Sequence, residues 1–119
     1  MKESIEEIFH RIVKISQSDT VIDLKIIERT KSILKARLYF AEELFVQVYV
    51  NTRKPKKSYT LILNDRRIFG KDCIFNQWHL HPFENPDEHD ESEISKKSIT
   101  MEEFIEEAFF IASEKLKIV

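Results

Sequence analysis

The stretch LKARLYF-AEE-LFVQVYV, residues 34–50, decides the fold. Leu34, Ala36, Leu38 and Phe40 alternate with Lys35, Arg37 and Tyr39, and after a three-residue link Leu44, Val46, Val48 and Val50 alternate with Phe45, Gln47 and Tyr49. A period of two sends successive side chains to opposite faces of a strand, and so short a link suits a hairpin. Upstream, Ile22, Leu24 and Ile26 alternate with Asp23 and Lys25. Downstream, Tyr59, Leu61 and Leu63 alternate with Thr60, Ile62 and Asn64. Thr52–Lys57 links the third and fourth runs, and Asn64-Asp65-Arg66 turns into a fifth short strand around Arg67–Phe69. Gly70 is expected to supply a positive φ there. Each run has one apolar face, as an antiparallel meander covered on one side requires.

Helical periodicity brackets this sheet. Ile5, Ile8, Phe9, Ile12 and Val13 share one face of a helix over 4–17. Near the other end, Thr100 with Glu103 forms a capping box, and Ile99 with Phe104 a hydrophobic staple. Met101, Phe104, Ile105, Ala108, Phe109, Ala112 and Leu116 form the apolar face of a helix over 100–117, widened by Phe110 and Ile111. The expected fold class is α+β: one domain over 1–119, with a helix at 4–17, about five antiparallel strands over about 20–70, a polar loop without a period over about 72–97, and a helix at 100–117. Both helices are expected to cover the apolar face of the sheet.

Composition excludes several classes. The chain has 119 residues, 42% hydrophobic and 34% charged, which suits a single globular domain. One glycine and three prolines leave no glycine-rich phosphate loop. Nineteen basic against 21 acidic residues give a net charge of −2, so no global field selects nucleic acid or an anionic membrane. No apolar stretch approaches the roughly 20 residues of a membrane span, and the N-terminus lacks a signal-peptide core. The lone Cys73 cannot form an internal disulfide and reads as a small hydrophobe. A cytoplasmic protein without a membrane partner is expected.

The segment Trp78-His79-Leu80-His81-Pro82-Phe83-Glu84-Asn85-Pro86-Asp87-Glu88-His89 holds three of the four histidines and the only tryptophan. Pro82 pushes His81 toward an extended conformation, in which His79 and His81 point to the same side. Three readings compete. His79, His81 and His89, with Asp87, would make a divalent-metal site. One imidazole taking a proton while its neighbour gives one would support metal-free phosphodiester transfer. Or the histidines only organise a surface loop. Arg53, Lys54, Lys56 and Lys57 form a basic turn, continued by Arg66, Arg67 and Lys71 at the next, either solvated or holding phosphates. Tyr39 and Tyr49, beside Arg37 and Gln47 on the polar face, suit either base stacking or cross-strand packing.

The strings ILKARLYF and LFVQVYV (33–40, 44–50), SYTLILNDRRIFGKD (58–72), the W-H-x-H-P-F-x-x-P-x-x-H pattern at 78–89, and SITMEEFIEE (98–107) resemble the TumE-type toxins of prokaryotic toxin–antitoxin pairs. The similarity covers most of the chain, and the central histidine–proline pattern is its specific part. It lands on Trp78, His79, His81, Pro82, Pro86 and His89. The family's Asp-Asn stands here as Asp72-Cys73, so Asp72 is set aside. The resemblance implies a growth-arresting toxin encoded beside a small DNA-binding antitoxin, and it does not imply a reaction. Joined to the residue reading, it yields an RNA-directed toxin, a ribonuclease in the enzymatic version. His79, His81 and His89 are then its catalytic candidates, and Arg53, Lys54, Lys56, Lys57, Arg66, Arg67 and Trp78 its substrate-binding candidates. The alternatives are a non-catalytic protein-binding module and a metal-binding structural protein. The free edge of an antiparallel sheet would admit a homodimer, which Lys and Arg on the edge strands oppose.

Overall fold

The computed structural model describes residues 3–83 and 97–119. Six antiparallel strands form one meander in the order β1-β2-β3-β4-β5-β6: β1 Asp23–Arg29, β2 Ile33–Ala41, β3 Leu44–Asn51, β4 Lys56–Leu63, β5 Arg66–Ile74 and β6 Gln77–His81. Helix α1 (Ile5–Ser16) precedes the sheet. Helix α2 (Met101–Phe110) follows it and runs into a π-helical turn at Ile111–Lys115. The fold is α+β, as the alternation and the two amphipathic runs require. No helix among the described residues is long and apolar enough to cross a membrane.

Both helices start as their sequences dictate. Ser4 accepts from the Glu7 amide while Glu7 reaches back to the Ser4 amide, and Thr100 and Glu103 repeat the exchange. Each capping box satisfies two amides that the first turn would otherwise leave open. Ile5, Ile8 and Ile12 of α1 and Met101, Phe104, Ile105 and Ala108 of α2 are buried on one face of the sheet. That face is built of Leu34, Ala36, Leu38, Val46, Val48, Val50 and Leu61. Phe104 stacks on Phe69 with ring centres 5.2 Å apart and meets Tyr59 at 5.7 Å. Arg11 of α1 pairs with Glu3 and with Glu102 of α2, so one guanidinium bridges the two helices. Both carboxylates raise its pKa against the cost of burial.

Three expectations change. The sheet has a sixth strand because β5 continues to Ile74, and Phe75-Asn76 turns the chain back into Gln77–His81. The first ten residues of the expected loop are therefore hairpin. Gly70 has no positive φ and lies within β5 opposite Thr60. A Cβ there would sit 3.3 Å from the Tyr59 carbonyl oxygen, so close approach of backbones accounts for the glycine. On the last helix Ile111 is buried but Phe110 is 55% exposed, so the apolar face widens to one side only.

Candidate functional site

Neither helix covers the other face of the sheet. Register fixes what it carries: Lys25, Arg37, Gln47, Thr60, Gly70 and His81 form one cross-strand row, and Lys35, Tyr49, Ser58, Asp72 and His79 form the next. A bulge decides one further member. Leu61 pairs with Phe69 but Ile62 pairs with Arg67, which leaves Ile68 as the extra residue in β5. The parity of the strand changes there, and Arg67 joins this polar face instead of the core face. Its Cδ lies 3.5 Å from the point where a Gly70 Cβ would be, and the Cβ of His81 lies 3.8 Å from that same point. Arg67 and His81 thus flank Gly70 on this face.

Asp72 organises the middle of this group. Its Oδ1 accepts a 2.7 Å hydrogen bond from the Ser58 hydroxyl, and its Oδ2 lies 3.0 Å from Nε2 of His81. Three strands are joined through one carboxylate. His81 is only 3% exposed, whereas His79, its neighbour on the same side of β6, is half-buried. A carboxylate on one ring nitrogen sets the orientation and tautomer of an imidazole, which is what a proton-transferring histidine needs. A second imidazole on the same face supplies the other half of an acid–base pair.

The sequence candidates separate in space. His79 and His81 fall on the same side of β6, as their i, i+2 spacing implies. Trp78 points the opposite way, onto the helix-covered face, where its ring lies 6.2 Å from that of Tyr59. The two basic turns close opposite ends of the sheet, since β4 runs from Lys56 to Leu63 between them, about 23 Å at ~3.3 Å per residue. Within the first turn, Asn51 Oδ1 accepts from the amides of Arg53 and Lys54 and shapes the tip. Lys56 lies on the polar face with its Nζ 5.7 Å from the centre of the Tyr49 ring. Lys57 faces the other way, into a cavity of about 300 Å³ that it lines with Ile8, Val50, Pro55 and Cys73. Arg66 stays at the far turn, and Arg67 alone of that pair comes near His81.

His89 and Asp87 lie outside the described residues, and among the described residues no group of three His, Cys, Asp or Glu side chains gathers as a metal site. Cys73 is buried, and burial pushes its thiol pKa up, which suits packing rather than nucleophilic attack. Sequence reasoning passed over Asp72 and Ser58. The available signal was positional: once β5 extends to Ile74, Asp72 falls on the polar side directly opposite Ser58.

On the same face Tyr39 and Phe45 pack at 4.9 Å, with the Arg37 guanidinium 4.8 Å from the Phe45 ring centre and Lys25 Nζ 5.0 Å from that of Tyr39. This cluster of cations and aromatic rings spans β1, β2 and β3, at the far side of the sheet from the histidines of β6. Compared with family models, curated proteins and solved structures, the chain gives no match.

Proposed function

We propose that this chain is an RNA-directed toxin of the TumE type, acting in the cytoplasm and held in check by a small DNA-binding antitoxin, with His79 and His81 as its acid–base pair. The observation that supports this reading most is two imidazoles on the sheet face that neither helix covers, one of them bound to Asp72, with Arg67 beside it. In the reaction, His79 takes the proton of a ribose 2′-hydroxyl and the 2′-oxygen bonds to the adjacent phosphorus. The bond from phosphorus to the 5′-oxygen breaks, and the leaving oxygen takes a proton from His81. A 2′,3′-cyclic phosphate and a 5′-hydroxyl end result. His79 is the first contact because it is the more exposed imidazole. Arg67 and Lys56 supply positive charge beside the phosphates.

Expression of the chain without its antitoxin should stop growth, and His79→Ala should restore it with the protein still folded. A single acid–base group is worth about 10²–10⁴ in rate. RNA from arrested cells should carry cyclic phosphate ends. The burial of His81 favours a second reading, a protein-binding module in which the Ser58–Asp72–His81 chain only ties β4, β5 and β6 together. Folded His79→Ala and His81→Ala proteins that remain fully toxic would put that reading first.

A further inference from the structure

Two hairpins of this sheet use the same kind of turn with different residues. Between Leu63 and Arg66 stand Asn64 and Asp65, with φ of 49° and 65°. Between Ile74 and Gln77 stand Phe75 and Asn76, with φ of 50° and 65°. Two-residue turns with positive φ at both positions favour Asn, Asp and Gly, which tolerate the left-handed region. The first turn obeys that rule. The second puts phenylalanine where its bulk is sterically disfavoured. The core gives nothing back, because Phe75 is 69% exposed. Its amide donates to the Pro55 carbonyl oxygen at 2.9 Å, a bond that any non-proline residue could make.

What surrounds the ring is chemically specific. The Pro55 bond sets the turn against the β3–β4 tip, which carries Arg53 and Lys54. Lys56 pairs with Ile74 on the polar face, and Gln77 pairs with Ile74 from the other side. His79 follows Gln77 two residues further along that face, about 7 Å at ~3.3–3.4 Å per residue. An exposed aromatic ring at a turn bonded to the basic tip, on the hairpin whose second strand carries both imidazoles, matches the combination that holds single-stranded nucleic acid: a base on the ring and phosphates on the Lys and Arg side chains.

We propose that Phe75 is a base-stacking residue which, with Lys56 and the Arg53–Lys54 tip, holds the nucleotide adjoining the one at His79 in a single-stranded RNA. This rests on the RNA-directed reading above. The test uses the full chain and a fluorescent 2′-O-methyl octauridylate, which lacks the hydroxyl needed for cleavage. Phe75→Asn gives the turn a residue better suited to its conformation, so Tm should hold or rise while Kd weakens by about 5- to 150-fold, the range for losing one stacked base. Phe75→Trp should bind at least as tightly as the parent. A Phe75→Asn protein that binds as well as the parent overturns the inference and leaves the RNA reading standing. A Tm that falls by many degrees in Phe75→Asn overturns it too, because the ring would then be structural. If the substitution spares the oligonucleotide but weakens antitoxin binding, the tip is a protein-docking element. A parent chain that does not bind the octamer removes the RNA reading and the inference together.

Discussion

Replacing Asp72 by Ala should cost about 2 kcal/mol, and the loss should depend on His81. The carboxylate holds His81 Nε2 at 3.0 Å and the Ser58 hydroxyl at 2.7 Å. A hydrogen bond to a charged group contributes about 1.5–3 kcal/mol, and Asp72, with 22% of its side chain exposed, belongs at the lower end. Ser58 is half-buried and can turn to water, so its share is small. His81 Nε2 cannot, because the side chain is 4% exposed, and a buried nitrogen that loses this acceptor costs about 1–3 kcal/mol. For a chain of this length about 2 kcal/mol corresponds to a fall in Tm of roughly 6–12 °C. Urea denaturation followed by fluorescence of Trp78, the one tryptophan, would measure Asp72→Ala, His81→Ala and the double variant. With the interaction already absent, the second substitution should cost about 1 kcal/mol less than it does alone. Losses that add to within about 0.3 kcal/mol would show that the two side chains do not act as a pair, and the site would lose its organising contact.

Phe104→Ala should cost about 3–5 kcal/mol, since Phe104 is fully buried and stacked on Phe69, whereas Phe110→Ala, exposed on the same helix, should stay within about 0.5 kcal/mol; equal effects in thermal melts would misplace the helix. Thr100→Ala removes one half of the α2 capping box and should cost about 1 kcal/mol by urea titration, with no loss at all contradicting the cap. Burial pushes the Tyr59 phenol up to about 12 from its ordinary value of 10.0. The folded protein therefore holds that proton more tightly than the unfolded chain, so stability should fall between pH 10 and pH 12, by about 2–3 kcal/mol at the upper end. Tyr59→Phe should lose less stability than the parent across that window, and identical losses would place the phenol in solvent.

Much of the architecture is legible in the chain order. Residues 34–50 carry a two-residue period that any neighbouring pair of positions reveals, and the Ser4–Glu7 and Thr100–Glu103 caps mark their helices within four residues. Such signals are local, and local geometry suffices to read them. The pattern breaks at Gly70-Lys71-Asp72, where the sheet continues all the same. Lys71 occupies a core-side position opposite Tyr59 and Leu80, and burial lowers its ammonium pKa. A lysine at an inward position looks like the end of a strand, so β5 is cut short on paper and β6 is read as loop. His79 and His81 share a side by their spacing alone, and Trp78 faces away by the same rule. Only tertiary structure decides what meets them. Asp72 reaches His81 from the neighbouring strand, and Arg67 joins them because a single bulged residue, Ile68, reverses the parity of β5. Register and bulges arise from pairing between strands, and packing of the whole sheet on Phe104 and its neighbours holds them there, so no window of sequence contains them.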